Sequence, residues 1–212
     1  MPPESMDFTL DGQDLRGFFA RGEGNQESCV ILLHPHPLYG GGLNDRVVLG
    51  LESSLMERGI GTFRFGFRGS HTTPDGYYGV SGAVEDTLAA ARFLSSSHEV
   101  STPVYVGYSF GGAAALRAAA RKEPAGLVTL SASVDLVQEG GYPLSSLGRI
   151  DCECLMFHGT DDMMIPSSDV ELLSAAVGSN TMTILVDGEG HFYRQSLKEV
   201  GKQIADFVER VI

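Results

Sequence analysis

The chain has 212 residues, 42% of them hydrophobic and 20% charged, a composition that can bury a core of its own. Its formal net charge of −12 makes a surface that repels nucleic acid and anionic membranes. The opening residues, Met1-Pro2-Pro3-Glu4-Ser5, carry neither a basic end nor an apolar run, and no stretch is apolar for long enough to span a bilayer, so neither a secretory leader nor a membrane anchor is expected.

The cysteines are Cys29, Cys152 and Cys154. Cys152 and Cys154 share one face of a predicted strand, where buried free thiols are the default. The set lacks the extra ligands that a metal cluster needs, and the expectation is a reduced, cytoplasmic protein without metal or organic cofactor. With no repeat, low-complexity tract or linker, residues 1–212 read as one domain.

In chain order, strands are expected over 5–10 and 15–21, joined by a turn at Asp11-Gly12. The continuous apolar run 29–33 marks a strand covered on both faces, and it ends in His34-Pro35-His36-Pro37. Asn44 is placed to cap a helix carrying Val47, Val48, Leu51 and Leu55, which Gly59 stops. A strand over 60–65 follows, then a glycine- and aromatic-rich loop over 66–79 and a helix over about 82–95. The β-branched and aromatic stretch 102–106 reads as a buried strand, and the alanine-rich run 113–120 as a strong helix. Beyond Pro124 come a strand over 127–130, a mixed stretch over 134–149 with one helical turn, and a strand from 154 ending at His158-Gly159. Ser168 and Glu171 form a capping-box pattern for a helix through Val177. The last strand is 181–186, and an amphipathic helix is expected over about 192–211. Strands alternating with helices predict a mainly parallel sheet with helices on both faces. Ligands of such sheets bind beyond the carboxyl ends of the strands, where His34, Ser109, Asp162 and His191 all fall.

Gly107-Tyr108-Ser109-Phe110-Gly111 sits between that buried strand and the alanine-rich helix. It reads G-x-S-x-G, a sharp strand-to-helix turn that lifts a serine hydroxyl out of the sheet. Serine is a weak nucleophile unless a base takes its proton and an acid holds the base in one tautomer. His158-Gly159-Thr160-Asp161-Asp162 follows one later strand, and Gly188-Glu189-Gly190-His191 follows the next. Ser109, Asp162 and His191 thus stand in the order nucleophile, acid, base, that of an α/β-hydrolase. Asp161 and Asp162 cannot both face His191 from adjacent positions. The H-G-x-x-D spacing from His158 selects Asp162, and Asp161 is left to face solvent or cap the turn.

From first strand to last helix the chain resembles a small α/β-hydrolase. More narrowly, it is similar to the compact prokaryotic dienelactone-hydrolase-like serine hydrolases. His34-Pro35-His36-Pro37-Leu38-Tyr39-Gly40-Gly41 matches their H-P-H-P-x-x-G-G, and Arg64-Phe65-Gly66-Phe67-Arg68-Gly69 matches R-F-N-F-R-G. Gly66 replaces the usual Asn, and Ala83 replaces a usual Glu before Asp86. True dienelactone hydrolases use a cysteine nucleophile, so Ser109 points to other substrates. The resemblance implies the α/β-hydrolase fold, with about eight mostly parallel strands, helices on both faces and no substantial cap domain. It also implies oxyanion donors at the N–H groups of His36 and Phe110.

The expected function is a serine hydrolase cleaving carboxylic esters with short acyl groups, since the interval 131–151 is too short for a multi-helix lid. Thioester hydrolysis, acyl transfer or peptide hydrolysis could run on the same residues, and a non-catalytic small-molecule binder is the alternative from another class. Tyr39, His71, Met163 and Met164 are the substrate-pocket candidates; the other reading is a solvated loop histidine for His71 and packing for Tyr39, Met163 and Met164, and the choice between pocket and packing applies also to Tyr77 and Tyr78. His34 and His158 read as buried hydrogen-bonding residues, the His36 ring as structural or rim-lining, and His98 as surface. Arg64 and Arg68 read as structural ion-pair partners, with Asp86 the candidate carboxylate. The only partner expected is a small-molecule ester.

Overall fold

A computed structural model describes residues 2–25 and 27–212. Eight strands form one sheet in the order β1-β2-β4-β3-β5-β6-β7-β8. They are β1 (Glu4–Leu10), β2 (Gln13–Ala20), β3 (Ser28–Leu33), β4 (Thr62–Phe65), β5 (Thr102–Tyr108), β6 (Gly126–Leu130), β7 (Cys154–Gly159) and β8 (Thr181–Val186). The β1–β2 and β2–β4 pairs are antiparallel, and every other pair is parallel. Both faces of β3, β5, β6 and β7 are covered, which is why these strands read as unbroken apolar runs.

Six helices flank the sheet: α1 (Arg46–Met56), α2 (Gly79–His98), α3 (Phe110–Ala119), the single turn α4 (Val134–Val137), α5 (Ser168–Val177) and α6 (Leu197–Val211). Val47, Val48, Leu51 and Leu55 of α1 join Val200, Ile204, Phe207 and Val208 of α6 in the core on one face. Helices α2, α3 and α5 bury their apolar sides in a second core on the other. All ten residues of α3 are buried, and its alanines let the helix lie close against β5 and β6. The parallel registers pair Leu33 with Gly107, Tyr108 with Leu130, Leu130 with Phe157, and Gly159 with Val186. The carboxyl ends of five strands therefore finish at one edge, and the loops carrying His34, Ser109, Asp162 and His191 leave from it.

Several helix starts differ from expectation, and α2 begins at Gly79 rather than about Gly82. Asp45, not Asn44, caps α1: its Oδ1 accepts the Val47 N–H at 2.8 Å, while the Asn44 side chain accepts from the Arg64 guanidinium at 3.0 Å. No capping box forms at α5, where the backbone at Ser167 is already helical. Asp169 there reaches across to the Val134 N–H at 2.8 Å instead. Helix α6 begins at Leu197 rather than near Phe192, because the Glu189 carboxylate gathers the intervening N–H groups. The stretch 134–149 folds as α4 and two short 3-10 turns, far smaller than a lid domain. All three cysteines are unpaired and buried. Among the described residues, no helix is long and apolar enough to cross a membrane.

Candidate active site

Strand β5 delivers Ser109 to the sheet edge with φ 55° and ψ −115°. Such a backbone costs a non-glycine residue roughly 1–3 kcal/mol and persists only where its surroundings impose it. Here the Ser109 N–H donates to the Leu130 carbonyl at 2.8 Å, and the neighbouring glycines let the surrounding backbone pack closely around the turn. A Cβ at Gly107 would collide with the Gly111 carbonyl, one at Gly111 with the Leu33 carbonyl, and one at Gly112 would press on Ala132. The spacing of glycines around Ser109 is thus a steric requirement of this turn. The Ser109 side chain makes no capping bond to α3, which leaves its hydroxyl for another partner.

That partner is His191. Its Nε2 lies 3.1 Å from Ser109 Oγ, and its Nδ1 lies 2.7 Å from Asp162 Oδ2. An ionised carboxylate only accepts, so Nδ1 carries the proton and Nε2 accepts from the serine hydroxyl. The other oxygen, Asp162 Oδ1, accepts the N–H groups of Met164 at 2.9 Å and Ile165 at 3.0 Å. Burial pushes the Asp162 carboxyl up, but the hydrogen bonds from His191, Ile165 and Met164 outweigh it and hold the group at about 2. Asp161 is exposed; Thr160 Oγ1 donates to its side-chain Oδ1 at 3.3 Å, and its backbone N–H donates to the Glu189 carbonyl at 2.9 Å. His158 is buried behind Asp162 and donates from Nε2 to the Ile165 carbonyl at 3.0 Å.

Two residues that sequence reasoning missed hold the histidine loop. Glu189 is buried and accepts from the N–H groups of Gly190, Arg194, Gln195 and Ser196 and from Ser196 Oγ. Burial works against its charge, yet these donors keep the carboxyl below the ordinary glutamate range. Tyr108, which directly precedes Ser109, donates from its hydroxyl to the His191 carbonyl at 3.0 Å. No local pattern marks either residue, because each acts on backbone groups that only the fold brings near.

Opposite them runs the loop 35–41. Gly41 N–H returns to the His36 carbonyl at 3.0 Å, and a Cβ there would strike the Pro35 carbonyl, while Gly40 has a φ of 87°, so each glycine of the pair has its own reason. His34 is fully buried; Nδ1 donates to the Pro35 carbonyl at 2.6 Å and Nε2 accepts the Phe67 N–H at 2.9 Å. Burial pulls its pKa down to about 4, so it stays neutral as a structural brace. The His36 ring is half-buried, bonded to Tyr77 Oη at 3.2 Å and packed 4.7 Å from the Phe110 ring. His36 and Phe110 therefore adjoin across the site. The Phe110 N–H opens α3 and has no intrahelical acceptor, and the His36 N–H bonds to no group among the described residues.

A cavity of about 390 Å³ opens above Ser109 and His191. Tyr39 and Met164 line it, together with Leu136, Ser133, Ile165 and Phe192. Two pocket candidates lie elsewhere. Met163 is 95% exposed and turned outward, since Met164 and Ile165 are the residues tied back to Asp162. His71 is exposed at the tip of a tight turn between Ser70 and Thr73. Leu136 comes from the mixed stretch read with one helical turn, and Ser133 directly precedes that stretch; both enter because α4 is pinned beside the site by Asp169. The arginines are structural: Arg68 pairs with Asp86 at 2.7 Å, and Arg64 pairs with Glu52 at 2.8 Å, all four buried. Tyr77 packs on His36 and Phe110, Tyr78 is exposed beneath Arg68, and His98 packs against Phe19 and Phe93.

No protein-family profile matches the chain. An uncharacterized protein of Rickettsia prowazekii is 26% identical over 201 residues, covering 92% of this chain and 84% of its own. Among solved structures, an α/β serine hydrolase homologue from Coxiella burnetii is 26% identical, covers 98% of both chains and superposes with a TM-score of 0.86. A serine hydrolase without a lid from Xanthomonas campestris is 24% identical over 99% of this chain and 96% of its own, TM-score 0.82. The esterase domain of a Rhodothermus marinus protein is 20% identical over 99% of each chain, TM-score 0.81. The chain has the α/β-hydrolase fold, with no substantial cap among the described residues, and the Coxiella protein it resembles is described as an α/β serine hydrolase homologue.

Proposed function

We propose that this protein hydrolyses carboxylic esters of short acids, with Ser109 as nucleophile, His191 as base and Asp162 as the acid that orients it. The observation that carries this reading is the unbroken series from Asp162 through His191 to Ser109, 2.7 and 3.1 Å, on the floor of an open cavity. Ser109 Oγ attacks the ester carbonyl carbon as its proton passes to His191 Nε2. The carbonyl oxygen, now negative, is met by the N–H groups of His36 and Phe110. The intermediate collapses, the C–O bond to the alcohol breaks, and His191 returns the proton to the departing oxygen. Water then attacks the acyl-enzyme by the same route, releasing the acid and restoring Ser109. No metal or organic cofactor enters any step.

The small cavity and the absence of a lid-sized insertion support short acyl groups. The three buried, unpaired thiols fit a reducing cytoplasmic setting, and the whole chain is read as one domain. The test is fluorophosphonate labelling followed by a panel of p-nitrophenyl esters and acyl thioesters of graded length. Labelling should fall on Ser109, and acetyl or butyryl esters should be cleaved with higher kcat/KM than palmitoyl. Absence of labelling on folded protein would favour a binder, and a palmitoyl preference would remove the short-acyl assignment.

A further inference from the structure

Phe192 directly follows the base, lines the cavity and is half exposed. Its ring stands edge to face against His191, with centroids 5.5 Å apart and planes at 85°. Its backbone does not drift, because the Arg46 guanidinium donates to the Phe192 carbonyl and Tyr193 N–H returns to Gly190 at 3.2 Å. The next residue, Tyr193, is fully buried, with its hydroxyl 3.2 Å from Ser131 Oγ. An apolar ring is thus held open to solvent by a rigid, doubly anchored backbone. Burial does not explain it, since half of its surface is wet.

Position gives it a role, on the proposed reading that His191 protonates the departing oxygen. The leaving alcohol must then sit on the His191 side of the carbonyl carbon, because proton transfer requires hydrogen-bond reach. The substituent on that oxygen extends past His191, where two rings line the cavity; Tyr108 is buried with its hydroxyl tied to the His191 carbonyl, and Phe192 is the half-exposed one. The opposite wall, near His36, faces the carbonyl oxygen and holds Tyr39, whose ring lies 4.6 Å from that of His36. The site is therefore asymmetric. On this reading the acyl group takes the remainder of the cavity, which Leu136 and Ile165 line, and the alcohol has an aromatic platform. The Arg194 guanidinium lies 5.8 Å from the Phe192 centroid, which further steadies the ring.

We propose that Phe192 selects the alcohol part of the substrate, and that the substrate class is esters of aryl or arylmethyl alcohols. A planar ring laid offset or edge-on against Phe192 gains more than its buried area alone supplies. A saturated ring of equal bulk gains only the area.

The experiment compares benzyl acetate with cyclohexylmethyl acetate, which share the acyl group and differ in planarity of the alcohol. In the parent protein benzyl acetate should have the higher kcat/KM, expressed mainly in KM. Phe192→Ala and Phe192→Leu should each reduce the benzyl-to-cyclohexylmethyl ratio roughly 3- to 10-fold, and Phe192→Tyr should retain it. A ratio unchanged in both Phe192→Ala and Phe192→Leu overturns the proposal. Binding of the same two esters to Ser109→Ala, followed by NMR shift titration with and without Phe192→Leu, separates this from the reaction itself. Selective binding that depends on the ring upholds the platform even if Ser109 proves not to be the nucleophile. Equal binding of both esters removes the platform while leaving the serine chemistry standing.

Discussion

Ser109, His191 and the Asp162 side chain lie at the floor of the cavity, 7%, 6% and 0% exposed, whereas Tyr39, Met164 and Phe192 at its rim are 86%, 62% and 50% exposed. Every polar atom at the floor has a partner within 3.1 Å, and the backbone beneath it is fixed by glycine sterics and by the Glu189 carboxylate. The rim side chains are held by packing on one side only. On the proposed function, the difference separates two jobs. Proton transfer fails when a group moves by about an ångström, so its residues are over-determined. Substrate contact tolerates movement, so its residues stay exposed and each contributes little.

That contrast can be broken at the floor first. Ser109→Ala should fold normally and lose ester hydrolysis by about 10⁶-fold in kcat, the scale seen when a triad serine is removed. A loss within a few-fold, measured on one short p-nitrophenyl ester, would move the nucleophile elsewhere.

The adjacent aspartates sharpen it next. Asp162→Asn should cut kcat on the order of 10⁴-fold, because an amide holds the imidazole in the wrong tautomer. Asp161→Asn, whose side chain bonds only Thr160, should stay within about threefold. The reverse ranking would shift the acid by one residue. Asp162 also makes a pH prediction. Its carboxyl is held at about 2, below the ordinary value near 4, so its stabilising contribution is full above that ordinary value and lost as pH falls toward 2. Thermal melts should drop more steeply between pH 4 and 2 in the parent than in Asp162→Asn; parallel slopes would contradict the assignment.

Glu189 tests whether the floor depends on its support. Glu189→Gln keeps the shape but replaces one acceptor oxygen with a donor, leaving N–H groups of Arg194, Gln195 or Ser196 unmet. We expect about a tenfold loss in kcat with a lowered Tm, while KM changes little. Unaltered kcat in a folded variant would show that the His191 loop holds itself.

The rim should show the smallest effects. Met164→Ala should raise KM a few-fold, by roughly the value of a partly buried side chain. Met163→Ala, one residue away and outside the cavity, should leave both constants within error. Equal effects from the two substitutions would mean that the cavity wall continues further outward than its lining shows.

The elements of the fold were legible because strand and helix patterns are local. The run 29–33 is covered on both faces and reads as apolar throughout; 181–186 was bounded by its own residue types and matches β8 end for end. The turn at Ser109 was legible for a stronger reason. Only glycine fits at 107 and 111, so the backbone geometry is written into the residue types. Boundaries that depend on distant acceptors were not legible. Asn44 is drawn off to Arg64, leaving the cap to Asp45, and the Glu189 carboxylate holds residues 194–196 out of α6.

The spacing from His158 pointed to Asp162, and the sheet registers bring Asp162 to His191 at 2.7 Å. The pocket was decided by tertiary structure alone. Which of two neighbouring methionines faces the cavity depends on two backbone hydrogen bonds to Asp162, and Leu136 reaches it because Asp169 on α5 anchors α4. A residue's own type carries no record of such contacts, since a long apolar side chain serves equally as wall or as packing. The sequence by itself determined where a serine, an acid and a base stand in chain order. Only the converging strand ends decided which side chains surround them.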